Sequence, residues 1–105
     1  MFSRVTYAHY PPQVHEAGLR IVLADLLPAL RRAAGYRGCY LLADNKPGTG
    51  LAVVLWETEE DADAASADRE VSAAYVRIAA LGLTFVSRQI YEVVFDDVSA
   101  SGRTG

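Results

Sequence analysis

The sequence contains one cysteine, Cys39, so no disulfide can close within the chain and a disulfide-stapled scaffold is excluded. It lacks long hydrophobic runs. The apolar stretches last a few residues, against the roughly 20 that a membrane-spanning helix needs. No membrane partner is expected. It also lacks a cluster of positive charge. Ten Lys and Arg stand against 13 Asp and Glu, a net charge of −3. The basic residues are scattered, with only Arg31 and Arg32 adjacent. Nucleic acid normally demands a clustered basic surface, so it is not expected as a partner. There are only two histidines, His9 and His15, with no flanking carboxylate pattern. No metal site of recognisable spacing follows from them. No glycine-rich turn leads into a helix to cradle phosphate, because Gly48 and Gly50 belong to a hairpin loop. Met1–Val5 has no charged leader before an apolar stretch, which argues against a signal peptide and for a cytoplasmic protein.

What the sequence has is hydrophobicity. Of its 105 residues, 51% are hydrophobic and 22% charged, which excludes a disordered chain. The length fits one domain, read here as residues 1–96, with a loose polar tail over 97–105. So small a domain has much surface for its volume. Some apolar surface is therefore expected to be buried against something other than the chain itself.

Periodicity orders the elements. Residues 2–9 read as a strand that Pro11-Pro12 stop. Residues 13–34 carry a helical apolar stripe, and Pro28 inside it predicts a kink or an interruption. Gly35 suits the position just past a helix end. Residues 36–43 and 51–57 read as strands around a polar hairpin loop. Thr58 reads as an N-cap, with Asp61 three residues on and further carboxylates in the first turns. This Ala-rich helix is expected to break near Ser66–Asp68 and resume over about 69–80, and Gly82 ends it. Residues 84–95 read as a long last strand.

Strand, helix, strand, strand, broken helix, strand describes an α+β fold. It is a ferredoxin-like βαββαβ sandwich with helices on one face of a four-stranded antiparallel sheet. The third strand, Leu51–Trp56, is apolar on both faces, and the fourth is largely so. A sheet covered on one side only should show one polar face. The second face is therefore expected to meet a second copy, as a homodimer closing sheet on sheet.

Two segments resemble a known family. Ala34-Gly35-Tyr36-Arg37-Gly38-Cys39-Tyr40-Leu41-Leu42 is similar to the P-G-F-x-G-x-x-L-L segment of the antibiotic biosynthesis monooxygenase domain family. Leu51 to Glu60 is similar to its V-x-x-x-W-E-S-x-E run. The resemblance implies a dimeric α+β barrel with a cavity between sheet and helices in each subunit. It implies a cofactor-independent oxygenase, without metal or flavin, acting on a flat aromatic or polyketide-type molecule. In such oxygenases the third-strand Trp lines the cavity, and Trp56 matches it. An Asn and a Tyr that accompany that Trp are replaced here by Ala52 and Ala62. In the haem-degrading branch a His accompanies the Trp on the second helix region. Ala74 stands there, which disfavours haem degradation. The alternative is a binding or structural dimer that has kept the fold and lost the chemistry.

The candidate residues each have two readings. Trp56, with Val54 and Ala52 on the same strand face, forms either a wall for a flat ligand or part of the core. If the family alignment holds, Tyr7 and His9 share the cavity-facing side of the first strand. They would then be catalytic, His9 removing a proton; otherwise they are a solvated Tyr and a strand-end His. Tyr75 either hydrogen-bonds a ligand or packs helix on sheet. Arg88 and Gln89 lie on opposite faces of the last strand. Arg88 on the inner face requires a ligand anion or a carboxylate, and Glu92 is the expected internal partner. Cys39 reads as a small buried hydrophobe, and His15 as a solvated residue of the first helical turn.

Overall fold

The computed structural model describes residues 1–97. The tail expected over 97–105 falls, apart from Asp97, outside the described residues. The first strand, β1, runs Phe2–His9. After a short 3-10 turn at Pro12–Val14 the chain enters α1, His15–Ile21. A π-helical segment, Val22–Leu26, links it to α2, Leu27–Arg32. Then follow β2, Tyr36–Asp44, and β3, Thr49–Trp56. Two helices, α3 at Glu59–Ala67 and α4 at Arg69–Ala79, precede β4 at Thr84–Glu92.

The strands form one sheet in the order β2-β3-β1-β4, with every neighbour antiparallel. That is the ferredoxin-like order the element sequence predicts. The interruption at Pro28 takes a definite form. A proline has no backbone N–H to donate into the helical ladder, and the turn before it widens to π spacing. Thr58 caps α3 by accepting from the Asp61 N–H at 3.0 Å, and Asp68 caps α4 by accepting from the Val71 N–H at 3.0 Å. Asp68 therefore ends one helix and starts the next.

Gly35 turns the chain from α2 into β2 with φ at +83°, where a Cβ would lie 2.1 Å from an Asp61 carboxylate oxygen. Only glycine meets both conditions. β4 stops at Glu92, three residues before its expected end. Its partner β1 runs out there, with Phe2 opposite Glu92 and the Val93 N–H on the Met1 carbonyl.

The helices cover one face. Trp56, Val54, Leu26, Leu30, Ala62, Ala65, Val71, Ala74 and Ile78 pack as the core between sheet and helices. Ala74 is wholly buried, so helix and sheet approach closely there. This core fills the end of the sheet near Trp56. The other end is left open.

Candidate functional site

Side-chain size explains the opening. Along β1 and β3 the helix-facing positions at that end are Thr6, Ala8, Gly50 and Ala52, and Gly18 faces them from α1. Larger side chains would fill this space. Small ones leave a cavity of about 270 Å³, close to the low end of small-molecule sites. Leu26, Leu41, Ile78 and Phe85 supply apolar walls. The side chains able to hydrogen-bond in the lining are those of Thr6, Tyr10, His15 and Tyr75.

A second, smaller recess of about 10 Å³ lies toward the core end, lined by Arg4, Val54, Trp56, Ser66, Tyr75 and Arg88 among others. Tyr75 belongs to the walls of both. Its ring meets Phe85 edge-on at 5.7 Å, and the Arg88 guanidinium carbon stands 5.3 Å from its centroid. Burial pushes the Tyr75 phenol above its ordinary value, while Arg88 and Arg4 pull it partly back. Burial likewise raises the Cys39 thiol, opposed by a bond with Tyr36 and by Arg31. A thiol held protonated is a poor nucleophile.

The structure divides the residues singled out in the sequence. Ala52 lines the cavity. Val54, Trp56 and Arg88 line the recess, and Tyr75 lines both. Trp56 is 2% exposed, edge-on to Tyr36 at 5.8 Å, and lies in the core rather than along the cavity wall. Tyr7 and His9 need correction as cavity residues. Strand alternation turns Arg4, Thr6 and Ala8 toward the helices, which sends Val5, Tyr7 and His9 to the opposite face. There Tyr7 and His9 contact each other, Oη to Nε2 at 3.2 Å. Arg88 faces the helices, but its partner is not Glu92. It donates to Ser66 Oγ at 3.3 Å and has no carboxylate within ion-pair distance among the described residues.

Two residues escaped sequence reasoning. His15 was expected in solvent, yet it is half-buried in the cavity lining, with its ring stacked on Tyr10 at 6.0 Å between centroids. Its place at the start of a helix just after the Tyr10-Pro11-Pro12 turn was the available signal. Arg4 is the other: it counted only among the scattered basic residues, and it lines the recess. Among the described residues no group of three or more His, Cys, Asp or Glu is placed to share a metal ion.

No protein-family profile matches the sequence, and no curated protein matches it. Solved structures do. SnoaB, a cofactor-independent oxygenase from Streptomyces nogalater, superposes with a TM-score of 0.72 at 17% identity, over 94% of this chain and 97% of that one. A candidate antibiotic biosynthesis monooxygenase from Deinococcus radiodurans gives a TM-score of 0.73 at 21% identity, over 92% and 96% of the two chains. The chain has the antibiotic biosynthesis monooxygenase fold. MhuD, a heme-degrader from Mycobacterium tuberculosis, shares that fold with a TM-score of 0.72 at 19% identity, over 92% and 99%. The monooxygenase fold thus serves at least two chemistries among its holders. Identities this low carry the architecture and leave chemistry to the residues of each site.

Proposed function

We propose that the protein takes a flat, apolar small molecule, of aromatic or polyketide type, into the 270 Å³ cavity and oxidises it with molecular oxygen, without metal or flavin. The observation that carries this reading is the almost wholly apolar cavity between sheet and helices, in a fold shared with a cofactor-independent oxygenase. The chemistry asks little of the protein. A substrate with an acidic CH₂ between aromatic rings loses a proton, and the resulting carbanion reduces oxygen. The CH₂ becomes a carbonyl that keeps one oxygen atom, and the other leaves as water. Of the two histidines, His15 lines the cavity, so it takes the role of proton acceptor first assigned to His9. Apolar walls exclude water from the reactive carbanion.

The reading includes a cytoplasmic homodimer. Tyr40, Leu42, Val86 and Tyr91 are large apolar side chains exposed on strands β2 and β4, and Val5, Tyr7 and His9 share the sheet face turned away from the helices. No helix among the described residues is long and apolar enough to cross a membrane.

Oxygen uptake with anthrone-type substrates tests the reaction. Wild-type protein should consume oxygen and release the quinone. His15→Ala should slow this about 100-fold, and Ala52→Phe, which fills the cavity, should abolish it. A second reading has its own support. Ala62 and Ala74 are buried where the oxygenase and haem-degrading patterns carry polar groups, which leaves a sparse catalytic set. A binding protein would be stabilised thermally by the same compounds, lose that response in Ala52→Phe, and form no product. No uptake above background in the wild type decides for it.

A further inference from the structure

The recess beside the cavity is lined by two arginines, and of these two only Arg4 meets a carboxylate among the described residues. Arg4 on β1 and Arg88 on β4 lie on the same face of adjacent strands, offset diagonally, since Arg4 pairs with Ile90 and Arg88 with Thr6. One carboxylate stands near them, and it pairs with Arg4 alone. Arg4 Nη2 meets Asp63 at 2.9 Å, but the Asp63 side chain is 66% exposed and that of Arg4 only 17%. The Nε of Arg4 is buried and has no hydrogen-bond partner. Among the described residues Arg88 meets the Ser66 hydroxyl and the face of Tyr75 and no carboxylate. A buried donor without a partner is costly, and that cost falls on Arg4. An anion in the recess would give Arg4 an acceptor and stand beside Arg88, which lines the same recess.

The position of the recess says how such an anion arrives. Thr6 lines the cavity and stands directly across from Arg88, one alternate position along β1 from Arg4. The cavity therefore ends where the two arginines begin, with Tyr75 in the walls of both spaces. The recess has the room of one water-sized group, about 10 Å³, which suits an oxygen atom and not a ring. We infer that the ligand is an apolar acid, whose flat body fills the cavity and whose anionic oxygen, of a carboxylate or an enolate, seats against Arg4 and Arg88. The inference rests on the cavity being the ligand site and adds the charge of what enters it. Charge-assisted bonds to a guanidinium outweigh neutral ones, so the acid should be preferred over its neutral isostere.

Calorimetry on the full chain at neutral pH and low salt compares naphthalene carboxylate, its carboxamide and naphthylmethylammonium. The carboxylate should bind about tenfold more tightly than the amide, and the ammonium weakest. In Arg88→Gln and in Arg4→Gln the preference for carboxylate over amide should collapse while amide affinity holds, which shows the cavity intact. Arg88 is exposed on an edge strand, so its variant decides the matter should Arg4→Gln fail to fold. Equal binding of carboxylate and amide by the wild type overturns the inference and leaves the cavity reading standing, as does a preference that survives both substitutions. Absence of binding by all three compounds overturns both.

Discussion

Tyr75 is the residue on which cavity, recess and helix packing converge, and its phenol carries a consequence for stability. Burial lifts its pKa above the ordinary tyrosine value of 10.0. The unfolded chain ionises near that ordinary value, and the folded chain resists until higher pH. Between the two the folded state binds more protons, so stability falls as pH rises. Below that window the contribution is fully present. Urea unfolding followed above pH 10 should therefore show a steepening loss of stability in the wild type and a shallower one in Tyr75→Phe. The opposite order would mean that the two arginines outweigh burial. At this scale the sequence was legible in part. Alternation on β1 could be read, but its phase could not. Arg4 and Thr6 are polar and still face the helices, because Arg4 threads its stem inward and reaches Asp63 at the rim. The family alignment put the face of Tyr7 and His9 toward a cavity that they do not line.

At the scale of elements, capping decides where the second half of the chain breaks. Asp68 is the N-cap of α4 and the residue on which α3 stops, its own N–H reaching the Ala65 carbonyl at 3.1 Å. Asp68→Ala removes the acceptor for the Val71 N–H and should cost about 1 kcal/mol, while Asp68→Asn keeps an acceptor and should cost little. Chemical denaturation midpoints of the two variants measure this, and equal midpoints would show that packing alone sets the break. The caps at Thr58 and Asp68 and the interruption at Pro28 could be read because each depends on chemistry local to a few residues. The π form of the interruption could not be read. It depends on tertiary packing, α1 against α4 and α2 against β2, held after the proline removes one bond. The early end of β4 also lay beyond local chemistry, since a strand stops where its partner does.

At the scale of the molecule, the surplus of hydrophobic residues resolves into three uses. One share forms the core around Trp56, and a second lines the cavity. The third lies on the sheet face without helices. Leu42 is 51% exposed and Tyr91 52% exposed, on the outer strands of the sheet, and the odd-numbered residues of β1 and β3 between them include Val5, Leu51, Val53 and Leu55. A sheet face this rich in apolar side chains suits an interaction surface, and in the proposed homodimer two-fold pairing with a second copy would cover it with no other component. Sedimentation at micromolar concentration should therefore give a species of twice 11.4 kDa. Leu42→Lys combined with Tyr91→Lys places two desolvated cations in each half of the interface and should give the monomer. Because neither side chain belongs to the helix-side core, the double variant should keep the far-UV circular dichroism of the wild type. A wild-type monomer at that concentration would remove the dimer. The outward face of Val5, Tyr7, Leu51 and Val53 would then require a different partner to account for its composition.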